Sequence, residues 1–318
     1  MGNKIAQAPA PSLAANKRRS PVLRHLQESW QWYLLLLPAL AYVILFSYGP
    51  MYGLQIAFKN YRPSKGFAGS DWVGFKHFIR FFEYPKFWPM IRNTLSITLY
   101  NLCLFPLPVV FALLLNEVRR LKFKKFVQMV SYMPHFLSEV VVCSLVILML
   151  DRTTGPINAL VELLGGTRTN FMADPKAFAD IYVWSGRWQN LGWSAILYIS
   201  ALSAVPQEEI EAAQIDGASR LQVLWHINLP HILPTVAITL IMATGSMLSV
   251  GYTKTLLLQN DLNLQASTVI STFVYEMGLV GGQFSYTTAI GLFNNIVNVI
   301  TMLIVNTIVK KLTSTGLL

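Results

Sequence analysis

Six long apolar stretches constrain what this chain can fold into. They lie at about 32–53, 92–115, 127–150, 181–204, 231–250 and 286–309. Each is close to the ~20 residues an α-helix needs to cross the hydrocarbon core of a bilayer. The pattern predicts an all-α fold: a polytopic membrane helix bundle with six transmembrane helices. Composition agrees. Of 318 residues, 53% are hydrophobic and 13% charged, and the mean hydropathy is +0.45; a soluble domain carries about 25% charged residues. The fourth stretch is the weakest, because Arg187, Gln189 and Asn190 interrupt it. Trp30, Trp32 and Tyr33 bound the first, as aromatic side chains do at a membrane interface.

The net charge of +10 raises the question of nucleic acid. Its distribution argues against that partner, because the basic residues crowd the ends of apolar stretches. Lys17, Arg18, Arg19 and Arg24 precede the first span. Arg119, Arg120, Lys122, Lys124 and Lys125 lie between the second and third, and Lys310 and Lys311 follow the sixth. An even number of spans puts both termini on one side, and these clusters make that side cytoplasmic. The segment Leu54–Pro89 is itself basic, so the dense clusters near span ends decide rather than the total. Residues 1–28 read as a mostly disordered, cytoplasmic basic tail. They are not a secretory signal, since the apolar run after them starts too late and is too long.

Three segments then face outward: Leu54–Pro89, Asp151–Asp180 and Gly251–Ser285. The first is rich in aromatic residues. Phe75, Phe78 and Phe82 predict a short helix with one apolar face. That face suits a helix resting on the outer leaflet, and equally a docking surface for a soluble partner.

Catalytic patterns are missing. The chain has no phosphate-binding Walker A loop, so it does not hydrolyse ATP by itself, and no HExxH, GxSxG or CxxC. His25, His77, His135, His226 and His231 are scattered. Cys103 and Cys143 both fall in apolar stretches with no ligand spacing around them, which reads as small buried hydrophobes rather than a metal site or disulfide. These absences predict no enzyme, no metal and no cofactor in this chain. There is also no internal repeat of the kind that marks many ion-coupled carriers.

The stretch Pro206–Pro230 is the longest strongly polar segment between two apolar spans in the second half. Pro206 suits a helix start. Glu208, Glu209 and Glu211 follow where carboxylates favour the helix dipole. Gly217 can take the left-handed conformation that ends a helix. Ala218–Asn228 then reads as a second short helix, with Pro230 and Pro234 opening the next span.

The same stretch carries Glu211-Ala212-Ala213, then Gly217 after three residues, Ile227 after nine more, and Leu229-Pro230 after one. This resembles the EAA loop of ABC importer permeases. The segments YGPMYGLQIAFKNY, DWVGFKHF, RNTLSIT, MPHFLSEVV, TTGPINAL and DGASR resemble the carbohydrate branch of that family, the permeases of complex-saccharide importers. The resemblance covers nearly everything from Trp30 onward. It implies a type I ABC importer transmembrane domain of the MetI-like kind over 29–318, six spans with a core of five, and a coupling loop at 205–230. It also implies the partners: a second homologous permease, with a heterodimer expected, two cytoplasmic ATPase subunits that bind ATP and magnesium, and an extracytoplasmic solute-binding protein. Glu211, Ala212, Ala213, Gly217, Ile227, Leu229 and Pro230 are the implied ATPase-coupling residues. The implied cargo is an oligosaccharide or polysaccharide. Another small solute is the alternative, and a stand-alone channel or ion-coupled carrier a more remote one.

Polar side chains within spans must find partners or water, so they mark the candidate substrate path. They are Glu139 in the third span, Arg187, Gln189 and Asn190 in the fourth, and Asn294, Asn295 and Asn298 in the sixth. Thr239, Ser246 and Ser249 in the fifth suit hydrogen bonds between helices. For Arg187 the candidate partners are Asp180 and Glu139. An arginine without an acidic partner would favour an acidic sugar.

Overall fold

A computed structural model describes residues 29–313. The predicted basic tail, residues 1–28, lies outside the described residues. By its contacts the chain divides into two units, Met1–Leu54 and Gln55–Leu318. In the first, the α-helix Trp30–Val43 continues through a π-helical turn, Ile44–Tyr48. A 3₁₀ segment, Gly49–Phe58, follows across the boundary. The change to tighter geometry falls at Gly49-Pro50, where proline removes a backbone donor.

The larger unit is helical apart from two short antiparallel strands, Lys59–Asn60 and Asp71–Trp72. The second span is the 30-residue stretch Phe87–Asn116. It is made of helices Phe87–Cys103 and Pro106–Asn116, with Pro106 opening the second half. The fourth is the 25-residue helix Phe178–Leu202. The sixth is Phe284–Thr313. Among the described residues, four helices are long and apolar enough to cross a membrane, and up to five if a bent pair counts as one span. The fourth span is not among these.

Two expectations are corrected here. The third span is not one helix over 127–150. Helix Leu121–Tyr132 passes into a 3₁₀ turn, Met133–Phe136, and a new helix, Glu139–Leu150, starts at an angle of 103°. Pro134 lacks an N–H, Leu137 is extended at ψ 138°, and Ser138 caps the new helix by accepting from the Val141 N–H at 3.3 Å. Glu139 therefore opens a helix, where the dipole favours its carboxylate, instead of sitting deep in a continuous one. Likewise, the second helix of the Pro206–Pro230 stretch is not separate. Arg220–Val223, the π-turn Leu224–Asn228 and Leu229–Thr244 form one 25-residue helix.

Packing joins the second, fourth and fifth spans. Val109, Ala112 and Leu113 meet Ala195, Tyr198 and Leu202, with Leu224 and Ile232. Gly192 lets the fourth span approach the third closely: a Cβ there would lie 2.3 Å from the Ser131 carbonyl oxygen. Cys143 is buried in a second cluster with Ile97, Phe178 and Tyr182. Cys103, contrary to expectation, is exposed, and both thiols are free.

The connecting segments gather at two ends. Residues 116–119 and 207–220 wall one groove. At the other end, Asn260 and Asn263 both donate to the Met172 carbonyl, at 2.7 and 3.0 Å, and the Tyr61 N–H donates to Ser285 Oγ at 2.9 Å. The helix Lys76–Phe82 forms as predicted. It packs on the sixth span, with Phe81 and Phe82 edge-on to Phe293 and Arg80 over the Tyr286 ring at 4.2 Å. Phe75 and Phe82 remain exposed, so only part of its aromatic surface is left for lipid or a partner. His77 is buried beneath it, and that burial pushes its imidazole below its ordinary pKa.

Candidate translocation cavity and loop

The Pro206–Pro230 loop starts with Pro206 as the N-cap of helix Gln207–Ile215. Gly217 sits at φ +85°, as the sequence required. Around it the Ala218 N–H reaches the Ala213 carbonyl at 2.9 Å and the Gly217 N–H the Gln214 carbonyl at 3.1 Å. These two bonds are a Schellman motif, which satisfies the last carbonyls of the helix. Ser219 then caps the next helix in a capping box with Gln222. The corner between the two helices is thus fixed by local bonds on both sides of one glycine.

Glu211 and Ala212 lie exposed on the first helix, and Glu211 accepts from Gln207 Nε2 at 3.2 Å. Glu209 pairs with His231 Nε2 at 3.4 Å. Ile227 and Leu229 are half-buried, and Leu229 packs on the cluster of the second, fourth and fifth spans. Pro230 is exposed. The loop also exposes Ile215, Leu221 and Trp225 at 86%, 69% and 61%. The loop therefore has a packed root and an apolar, partly acidic outer face.

A cavity of about 550 Å³ opens between the second, fourth and fifth spans. It lies within the ~300–1,000 Å³ usual for ligand pockets. Arg187, Asn101, Ser194 and Ser246 supply polar groups, and Tyr182, Trp193 and Tyr198 supply aromatic ones. Thr239 also lines it, and its hydroxyl bonds that of Tyr198 at 2.9 Å. Arg187 is half-buried and donates to the Asn101 carbonyl, while its Nε finds no acceptor. The ion pairs among the described residues include no carboxylate on Arg187.

The other path candidates are dispersed. Gln189 Nε2 donates to the Leu137 carbonyl at 3.0 Å, and Asn190 Oδ1 meets His135 Nδ1 at 2.9 Å. Both staple the fourth span to the break in the third. Asn298 Oδ1 accepts from the Leu248 N–H at 2.8 Å and its amide donates to Ser249 Oγ at 3.1 Å, joining the fifth and sixth spans. Asn294 lines a different cavity, and Asn295 is exposed. Glu139 lies close to Gly251 on the cavity wall. Sequence reasoning missed Asn101 and the three aromatic residues. Asn101 was open to the same argument as Arg187, since it too is a polar side chain inside a span.

A bundle of membrane-length helices around a polar and aromatic cavity, with a capped, exposed loop between two spans, fits a membrane transport subunit. The chain belongs to the family described as binding-protein-dependent transport system inner membrane component, whose pattern matches residues 105–314. It is a permease of the ABC kind, located in the inner membrane, and not an enzyme. It is 42% identical over 99% of both chains to the polygalacturonan/rhamnogalacturonan transport system permease protein YteP of Bacillus subtilis strain 168. It is 41% identical over 97% of both chains to the protein LplB of the same organism. Among solved structures, a chain of a bacterial alginate ABC transporter, crystallised with an alginate pentasaccharide-bound periplasmic protein, superimposes with a TM-score of 0.85. That chain is 35% identical, and the match covers 93% of this chain and 99% of that one.

Proposed function

We propose that this permease carries an acidic oligosaccharide, delivered by an extracytoplasmic binding protein, through the cavity between its second, fourth and fifth spans. The observation that carries the reading is Arg187. Its side chain lines the cavity, and among the described residues no carboxylate forms an ion pair with it. A central arginine costs about 2.5–3.5 kcal/mol on insertion scales. A uronate carboxylate would offset that cost through charge-assisted hydrogen bonds. Tyr182, Trp193 and Tyr198 supply faces for the apolar side of a sugar ring. The named cargoes of two relatives, polygalacturonan/rhamnogalacturonan and alginate, are polysaccharides and fit this chemistry.

In this reading the Pro206–Pro230 loop is the coupling lever. Glu211, Ala212 and the exposed Ile215, Leu221 and Trp225 meet a cytoplasmic ATPase subunit, which binds ATP and magnesium. A second permease, in a heterodimer, completes the pathway. Both chain termini and the lever lie in the cytoplasm, and the segments Leu54–Pro89, Asp151–Asp180 and Gly251–Ser285 face outward. Closure of the ATPases would rotate the spans as rigid bodies about the cavity. The test is uptake into proteoliposomes holding the full complex. Oligogalacturonide should accumulate only with both ATP and the binding protein present, and ahead of a neutral glucan of equal length. Uptake without ATP would point to a channel, and a preference for the neutral glucan would remove the acidic cargo.

A further inference from the structure

The groove beside the lever is a cavity of about 700 Å³ that plays no part in the path just proposed. Residues 116–119, at the end of the second span, form one wall. Gln207, Ile210 and Gln214 of the lever's first helix form another, and Ala218, Ser219, Arg220 and Val223 at the start of the next helix close it. Its charged lining groups are Glu117, Arg119 and Arg220. The two arginines come from different loops and both are exposed, whereas Glu117 is half-buried. The ion pairs among the described residues include none of the three. The open rim is therefore net positive, with two guanidiniums free to take an anion.

The surroundings select the anion. Guanidinium forks match phosphate oxygens two at a time, and the exposed Ser219 and Gln214 add neutral polar groups at the rim. The cavity lies where the second span ends and the fifth begins, which is headgroup depth. Arg120, Lys122, Lys124 and Lys125 follow Arg119 directly. Basic pockets between spans on the cytoplasmic side suit anionic lipid headgroups. The helix that starts two residues after Arg119, Leu121–Tyr132, buries none of its residues. It exposes Phe123, Phe126 and Val130 at helical spacing, an apolar strip for an acyl chain. A soluble phosphate would meet the arginines and leave that strip unused.

We propose that this cavity holds the phosphodiester headgroup of an anionic phospholipid of the cytoplasmic leaflet, with Arg119 and Arg220 on its phosphate. A headgroup there touches the 116–119 segment and both helices of the lever at once. Anionic lipid then holds the lever's root and strengthens the coupling of ATP hydrolysis to substrate. That consequence rests on the lever reading; the binding itself does not.

The probe is phosphatidylglycerol, offered as a minor fraction in phosphatidylcholine to the full complex. Native mass spectrometry reads the lipid retained. Wild type should keep phosphatidylglycerol, and Arg119→Gln and Arg220→Gln should each lower its occupancy about fivefold, the loss of roughly one basic contact at a membrane surface. Lys124→Gln, which removes the same charge outside the cavity, should keep it. In vesicles, added phosphatidylglycerol should raise substrate-stimulated ATP hydrolysis by wild type. It should not do so for Arg119→Gln, whose rate in pure phosphatidylcholine should match that of wild type. An equal loss of lipid in Lys124→Gln means a diffuse surface field and overturns the proposal. So does stimulation of wild type in pure phosphatidylcholine by soluble glycerol phosphate, which makes the ligand a free anion. Loss of the ATPase subunits from the Arg119→Gln complex overturns it too, by giving the cavity to them. Lipid occupancy that follows the arginines, with hydrolysis indifferent to lipid, supports the site and overturns its link to the lever.

Discussion

Gln189 donates from Nε2 to the backbone carbonyl of Leu137 at 3.0 Å, and through that bond the fourth span holds the break in the third. Breaking a helix frees carbonyls that lipid cannot satisfy, and Gln189 meets one of them. One residue on, Asn190 engages His135, whose ring stacks on Trp193 at 4.3 Å and 6°. Trp193 lines the cavity. The broken span thus sets an aromatic wall.

Gln189→Leu should therefore act on stability more than on transport. Leaving the Leu137 carbonyl without its donor should cost about 1–3 kcal/mol. Thermal unfolding of the purified protein in detergent would record a lower Tm, with substrate half-saturation nearly unchanged. A selective loss of substrate affinity at constant Tm would instead place Gln189 in the path.

The lever makes a second prediction. Gly217→Pro cannot keep φ at +85°, because the proline ring fixes φ near −65°. Glu211→Lys reverses the charge of an exposed carboxylate. Both variants should insert in the membrane normally yet lose transport and substrate-stimulated ATP hydrolysis. Normal transport by both would remove the lever assignment.

Topology is testable by labelling. In a background with Cys103 and Cys143 replaced, Ser64→Cys should react with an impermeant maleimide in intact cells. Gln214→Cys, exposed on the lever, should react only after lysis. The reverse result would invert the bundle.

Lys254 gives a pH dependence. It sits buried on the short helix Tyr252–Leu258, between the fifth and sixth spans, donates to the Tyr182 carbonyl at 2.7 Å and lies 4.7 Å from that ring. Burial pulls its ammonium down to about 8, opposed by Cys143 and Glu139. Unfolded, it titrates near 10.5. Below pH 8 both states are protonated, so the folded protein bears the full cost of burying the charge. Between about 8 and 10.5 the folded state releases its proton first, and that cost fades. Lys254→Met should thus be more stable than wild type near neutral pH, by about 1–3 kcal/mol, and the gap should close as pH rises through this window. A gap that does not change with pH would contradict a buried ammonium.

The spans and the corner of the Pro206–Pro230 loop were legible because their causes are local. Runs of ~20 apolar residues have one stable solution in a bilayer, and only glycine suits the corner at Gly217. The break at Leu137 was not legible. Pro134 and Ser138 mark it, yet the apolar run continues unbroken around them, and the hydrophobic pattern outweighed the cap. The path residues divided for a physical reason. A polar side chain in a span must have a partner, but whether that partner is a freed carbonyl, as for Gln189, or cavity space, as for Arg187, depends on contacts between distant spans.

The central claim is that an acidic saccharide passes Arg187, and one measurement tests it most directly. Initial rates of ATP-driven uptake of oligogalacturonide and of a neutral glucan of equal length are compared for wild type, Arg187→Lys and Arg187→Ala in proteoliposomes. The Arg187→Ala complex should lose about 10-fold or more of its preference for the acidic sugar, the loss of a charge-assisted hydrogen bond of roughly 1.5–3 kcal/mol. Arg187→Lys should retain part of that preference, and neutral uptake should stay within about twofold, well under the 1.4 kcal/mol of a tenfold change. An unchanged preference in the alanine variant, with the complex intact, would contradict the account.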